Sequence, residues 1–193
     1  MDHGGDACLF DFCTDLRKDA ASLHSNHAPT MSKTLLTLYG FNLAYCERLA
    51  ADIPDEEMHT QPSPDVNTPA WLLGHLAICT DYALQTLGQP TRLPAEWHAE
   101  FGPRSQPQME KHPYPDKQEL LLALREGHAA VAAALESVDL AVLDEPNPLP
   151  VKFLKKLLPT KGDLVAHLMA THEAAHLGHL SNWRRQTGRP PLF

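Results

Sequence analysis

The chain has 193 residues, 43% of them hydrophobic and 21% charged, with a formal net charge of −8. That length suits one domain able to bury a core without disulfide staples, and the composition is that of an ordinary globular protein. The acidic balance argues against a nucleic-acid partner, because Lys152, Lys155, Lys156 and Lys161 are the nearest thing to a basic cluster and are interrupted by Phe153 and Leu154. No apolar run approaches the roughly 20 residues that cross a bilayer, so no membrane partner is expected.

Residues 1–31 read as an N-terminal extension. They begin MDHGGDACLFDFCTDLRKD, acidic where a signal peptide is basic. Cys8, Cys13, Cys46 and Cys79 form no C-x-x-C pair, which points to reduced thiols in a cytoplasmic protein. His24 to Pro29 form a breaker cluster. Either Cys8 to Leu23 make a short appended helix, or the native start is Met31.

The domain proper is read as 32–193. A first helix is predicted from about Ser32 to Asp52, with Leu35, Leu38, Tyr39, Asn42, Tyr45, Cys46 and Leu49 on one stripe and Pro54 as its stop. Asn67-Thr68-Pro69 is a start signal for a second helix through Trp71 to His75 and on to Leu87, closed by Gly88. Pro90 to Pro115 is read as a long crossover without a regular element. A third helix opens at Asp116 with Glu119 as capping-box partner, and its stripe is Leu120, Leu124, His128, Val131, Leu135 and Val138. Pro146 to Pro159 reads as another loop. A fourth helix runs from Thr160, capped through Asp163, to about Gln186, where Gly188 and Pro190-Pro191 follow. With no two-residue alternation anywhere, the pattern predicts an all-α four-helix bundle with a long crossover between helices two and three.

Twelve histidines are present, and their spacing matters more than their number. His172 and His176 lie roughly 40° apart on an α-helix, so their imidazoles can converge on one metal ion. His179 lies roughly 20° from His172 on the other side. Leu164, Leu168, Leu180 and Trp183 flank this face and turn it inward. Buried imidazoles cost desolvation unless satisfied; a metal does so, and so does a polar cluster bonded to hydroxyls or water. Two histidines hold a divalent ion weakly, and His75, mid-helix on a stripe with Leu72, Cys79 and Tyr82, is the best third candidate. Its other reading is a core histidine bonded to a backbone carbonyl. Three inward histidines leave a coordination position open, as catalytic sites do.

His172-Glu173-Ala174-Ala175-His176 also satisfies the H-E-x-x-H pattern of zinc peptidases. Only 20 residues follow Glu173, none of them Glu or Asp, and Gly178 and His179 do not fit the extended form of the motif. The peptidase reading is therefore set aside, and Glu173 is read as a bystander facing a neighbouring helix or a partner.

Two blocks, WLLGHLAICTDYALQTLG and HLMATHEAAHLGHLSNWRRQTGRPP, together with the crossover LPAEWHAEFGP, resemble the DinB/YfiT-like family over most of Ser32 to Phe193. The resemblance implies a four-helix bundle, frequent homodimers and a divalent metal, often zinc or nickel, held by three histidines. Carried onto this chain, the ligands are His75, His172 and His176. His179 stands where many members have Gln, which leaves it either a ligand or a supporting contact. Some relatives transfer low-molecular-weight thiols such as mycothiol or bacillithiol onto electrophiles. The resemblance thus implies a small-molecule substrate and a metal-dependent thiol transferase or hydrolase; a non-catalytic dimeric metal-binding bundle is the alternative.

Further candidates were Asn42 for a hydrogen bond to metal-bound water or substrate, Tyr82 and Cys79 as pocket residues, Arg184 and Arg185 as a carboxylate grip, and His128 pointing inward from helix three. Asn42, Tyr82 and Cys79 each have the alternative of ordinary core packing.

Overall fold

The computed structural model describes residues 28–107 and 115–192. Residues 1–27, including the Cys8 to Leu23 segment, lie outside the described residues, as does part of the crossover. Contacts group the chain after Thr34 into one compact unit, Leu35–Phe193.

Among the described residues the fold is all-α, with one isolated bridge between Pro146 and Thr160. Helix α1 spans Ala28–Ala50, and a 3-10 turn follows at Asp55–Glu57. It starts earlier than the sequence predicts, because Pro29 sits in the first turn, where a missing N–H breaks no bond. Helix α2, Pro69–Thr86, opens as the start signal predicts: the Thr68 side chain accepts a hydrogen bond from Trp71 N, and Pro69 is the first helical residue. All its residues but Tyr82 and Gln85 are buried. A helix apolar all round belongs at the centre of a fold, and α2 is the element against which most of the others pack.

The crossover is not irregular throughout. It contains α3, Ala95–Phe101. The fully buried Asp81 carboxylate accepts hydrogen bonds from Arg92 N at 3.0 Å and Leu93 N at 2.9 Å, and it pairs with His98 at 3.0 Å. A buried carboxylate needs such partners, so Asp81 pins the crossover to α2. The Pro-rich composition hid this anchor.

Helix α4, Lys117–Ser137, begins with the predicted Asp116–Glu119 capping box. Short helices follow at α5, Leu140–Leu143, and α6, Lys152–Leu157; the latter replaces part of the loop expected over Pro146 to Pro159. The fourth long segment starts at a Thr160–Asp163 capping box and comprises α7, Lys161–Ala166, a π-helical segment, His167–His172, and α8, Glu173–Gln186. No helix among the described residues is long and apolar enough to cross a membrane.

Helices α2 and α4 approach closely at Gly127, where an added Cβ would lie 2.7 Å from both Cβ and Cγ2 of Thr80. Rotating the threonine does not relieve the clash, because Cβ stays fixed. Gly127→Ala is expected to lose about 2–3 kcal/mol to overpacking, outweighing the roughly 1 kcal/mol that alanine gains in helix propensity. The urea midpoint of unfolding measures this; an unchanged or higher midpoint contradicts the packing described.

Candidate metal centre

His75 is a histidine in the middle of the most buried helix, 5% exposed. Its Nδ1 is 2.7 Å from the Phe101 carbonyl at the end of α3. A carbonyl only accepts, so Nδ1 carries the proton and Nε2 keeps its lone pair. Gly74 makes this possible, since a side chain there would overlap the Phe101 ring. What Gly74 admits is an aromatic ring from the crossover. Trp71, one turn earlier, stacks on His75 at 4.7 Å and 7°, and its indole N–H donates to Ser105 Oγ at 2.8 Å.

His172 and His176 come to the same place from the other side. The ring centroids of His75 lie 5.3 Å from His172 and 4.5 Å from His176, and those of His172 and His176 lie 4.6 Å apart. One ligand-capable nitrogen from each of the three falls within 4.8 Å of the others. His172 Nε2 and His176 Nε2 are 3.3 Å apart. Two imidazoles bound tetrahedrally at the usual Zn–N length of about 2.0–2.1 Å have their nitrogens about 3.3 Å apart. The donor set and its spacing therefore fit a divalent ion. Burial, followed by the neighbouring His75, pushes His172 down to about 4 and His176 down to about 3, and burial lowers His75 too. At neutral pH all three are uncharged and able to ligate without first losing a proton.

His179 is exposed, edge-on to His176 at 5.5 Å, and does not join the three-nitrogen group. Cys79 is buried, with Sγ 3.6 Å from His75 Nε2, yet it is also outside that group. Burial raises its pKa and keeps it a thiol. Tyr82 packs towards His98 of the crossover, with ring centroids 5.6 Å apart.

The structure places three further residues in buried bonding networks. Asn42 is buried and donates to the carbonyls of Met169 at 3.2 Å and Ala170 at 3.3 Å. Those carbonyls belong to the π-helical segment, whose wider turn disturbs the regular ladder, so Asn42 supports the ligand-bearing backbone. Arg184 is 2% exposed, donates to Leu49 O at 2.8 Å and pairs with Asp52, whose carboxyl the guanidinium holds below its ordinary range. It ties α8 to the end of α1 and is no carboxylate grip at a pocket mouth. Arg185 is exposed. Glu173 is not a bystander. It is 3% exposed, and its Oε1 lies 2.7 Å from His128 Nε2. His128 in turn stacks on Tyr39 at 3.6 Å and 14°. Burial raises the Glu173 pKa, and hydrogen bonding and charge from His128 oppose that.

Sequence reasoning missed His167. In an α-helix it would point roughly 140° away from His172. A π-helix bonds residue i to i+5, and the segment His167–His172 brings the two rings to 5.6 Å, edge-on. No sequence signal for the π turn was available from apolar spacing.

The Glu173–His128 pair cross-links α8 to α4 with both partners almost fully buried. Removing either, as in Glu173→Ala or His128→Ala, is expected to cost about 3 kcal/mol, because the survivor stays buried and unpaired. The double variant should lose clearly less than the sum. Additive losses in a denaturant-based mutant cycle would show that the pair does not couple the helices.

No curated protein matches the chain. The family model of the DinB superfamily matches residues 41–180. That span covers well over half of the chain and includes α2, the crossover and all three clustered histidines. On that match the chain belongs to the DinB superfamily.

Proposed function

We propose that this DinB-superfamily chain holds zinc or nickel through His75, His172 and His176 and acts on a small molecule as a metal-dependent thiol transferase or hydrolase. The observation that carries the reading is the convergence of three imidazoles, with one ligand-capable nitrogen from each within 4.8 Å of the others and the His172–His176 pair at 3.3 Å, a tetrahedral spacing. A bound divalent ion with an open position lowers the pKa of a water or thiol there and makes a nucleophile at neutral pH. The chain's own part is positional. Phe101 O fixes the His75 tautomer, Trp71 covers one face of that ring, and Asn42 and the Glu173–His128 pair hold the fourth helical segment in register. The bond to Phe101 O is the kind of support that ligating histidines use, whereas Nδ1 of His172 and of His176 is buried without a hydrogen-bond partner among the described residues.

The proposed architecture is a four-helix bundle over 32–193, built from α1, α2, α4 and the α7–α8 segment, with the long crossover between α2 and α4 and residues 1–31 as an extension whose last four residues begin α1. Homodimerisation is proposed on the exposed Leu38 and Phe41 of α1, 49% and 58% accessible, and a cytoplasmic location on the unpaired cysteine pattern. A low-molecular-weight thiol is the proposed co-substrate.

A second reading is a non-catalytic dimeric metal-binding bundle. The cavity of about 10 Å³ lined by Tyr39, Leu76, Cys79, Met169 and Glu173, among others, includes none of the three histidines. Catalysis then requires that substrate reach the three histidines from outside.

Metal analysis of protein expressed with ample metal tests the shared claim. The wild type is expected to carry about one divalent ion per chain, and His172→Ala less than about 0.2, because two histidines bind weakly. A wild-type content below about 0.2 contradicts the metal centre. Sedimentation of the same sample should give the dimer mass; a monomer removes the dimer proposal.

A further inference from the structure

Building on the proposed metal centre, we infer that His167 is the residue that hydrogen-bonds the molecule taken up at the open position, and that this molecule presents a protic sulfur or oxygen, a thiol or a hydroxyl. The inference starts from placement. His167 lies 5.6 Å from His172, nearly as close as His75 at 5.3 Å, but its nitrogens stay outside the three-nitrogen group. It borders the centre without belonging to the ligand set.

Its orientation is fixed. His167 Nδ1 lies 2.6 Å from the Thr171 hydroxyl, four residues on. The hydroxyl can donate to Nδ1 or accept from it, and in both cases the ring is held and Nε2 is left without a protein partner among the described residues. A held imidazole nitrogen can accept a hydrogen bond from an S–H or O–H group, or donate one to the same group once it has lost its proton.

Trp71 stacks over His75 and covers one face of that ring. His167 is half-buried, whereas His179, the other flanking histidine, is exposed. The helix departs from α geometry to bring His167 there. A regular helix would point it away, and the π turn that corrects this needs the buried Asn42 to satisfy the carbonyls of Met169 and Ala170. Such single π turns inside α-helices recur at functional sites.

The test uses the full chain loaded with cobalt(II), whose visible spectrum reports the ligand set, titrated with 2-mercaptoethanol. His167→Ala is expected to keep the resting spectrum and one cobalt per chain while raising the Kd for 2-mercaptoethanol about three- to tenfold, the worth of one hydrogen bond. His167→Gln, which keeps an amide near the position of Nε2, should recover part of that loss and guards against misfolding of the alanine variant. Unchanged thiol affinity in both variants overturns the inference. A changed resting spectrum or lost cobalt also overturns it, because His167 is then a ligand. Failure of the wild type to take up cobalt marks the collapse of the metal-centre reading itself, and this inference falls with it.

Discussion

The hydrogen bond between His75 Nδ1 and the Phe101 carbonyl is the contact on which the rest of the site depends. A buried imidazole has two nitrogens to satisfy, and leaving either unmade costs free energy. By accepting the hydrogen bond from Nδ1–H, the Phe101 carbonyl leaves the lone pair on Nε2, facing His172 and His176. The bond also sets conditions elsewhere. It needs α3 to lie over α2, which needs glycine at position 74, and it needs the crossover to start from a fixed point, which the buried Asp81 provides. A long connection that looks like a spacer is thus part of the site.

The fourth helical segment answers a different problem. Its ligands must be turned towards α2 and held there, although the segment changes from α to π geometry just before His172. Three ties to other parts of the fold secure it: Asn42 at the π turn, His128 through Glu173, and, at the far end, Arg184 bonded to the Leu49 carbonyl and the Asp52 carboxylate at the end of α1. Asn42, His128, Glu173 and Arg184 are buried polar groups with partners, costly to break, whereas Asp52 is half-exposed. The arrangement explains why a segment whose ligand face is rich in polar rings still docks in a single way.

Much of this was legible in the sequence, for reasons that are local. Thr68-Pro69, Asp116 with Glu119, and Thr160 with Asp163 are start signals whose chemistry is complete within four residues, and each begins the helix it predicts. The four-residue spacing of His172 and His176 and the apolar company of His75 place all three on inward faces, where the structure brings them together. What the sequence hides is non-local. Nothing near Glu173 announces that His128, 45 residues away, will pair with it, and nothing near Arg184 announces Asp52. Helix α3 was masked by the prolines around it. His167 escaped because helical arithmetic assumes a constant period, and the period changes where it matters.

The most direct test of the three-histidine centre is anomalous diffraction at the metal edge from crystals of the metal-loaded protein. The account predicts one peak per chain among the three rings, about 2.0–2.1 Å from His75 Nε2 and from one nitrogen each of His172 and His176. A metal peak bound elsewhere on the chain, with none among these rings, would contradict it.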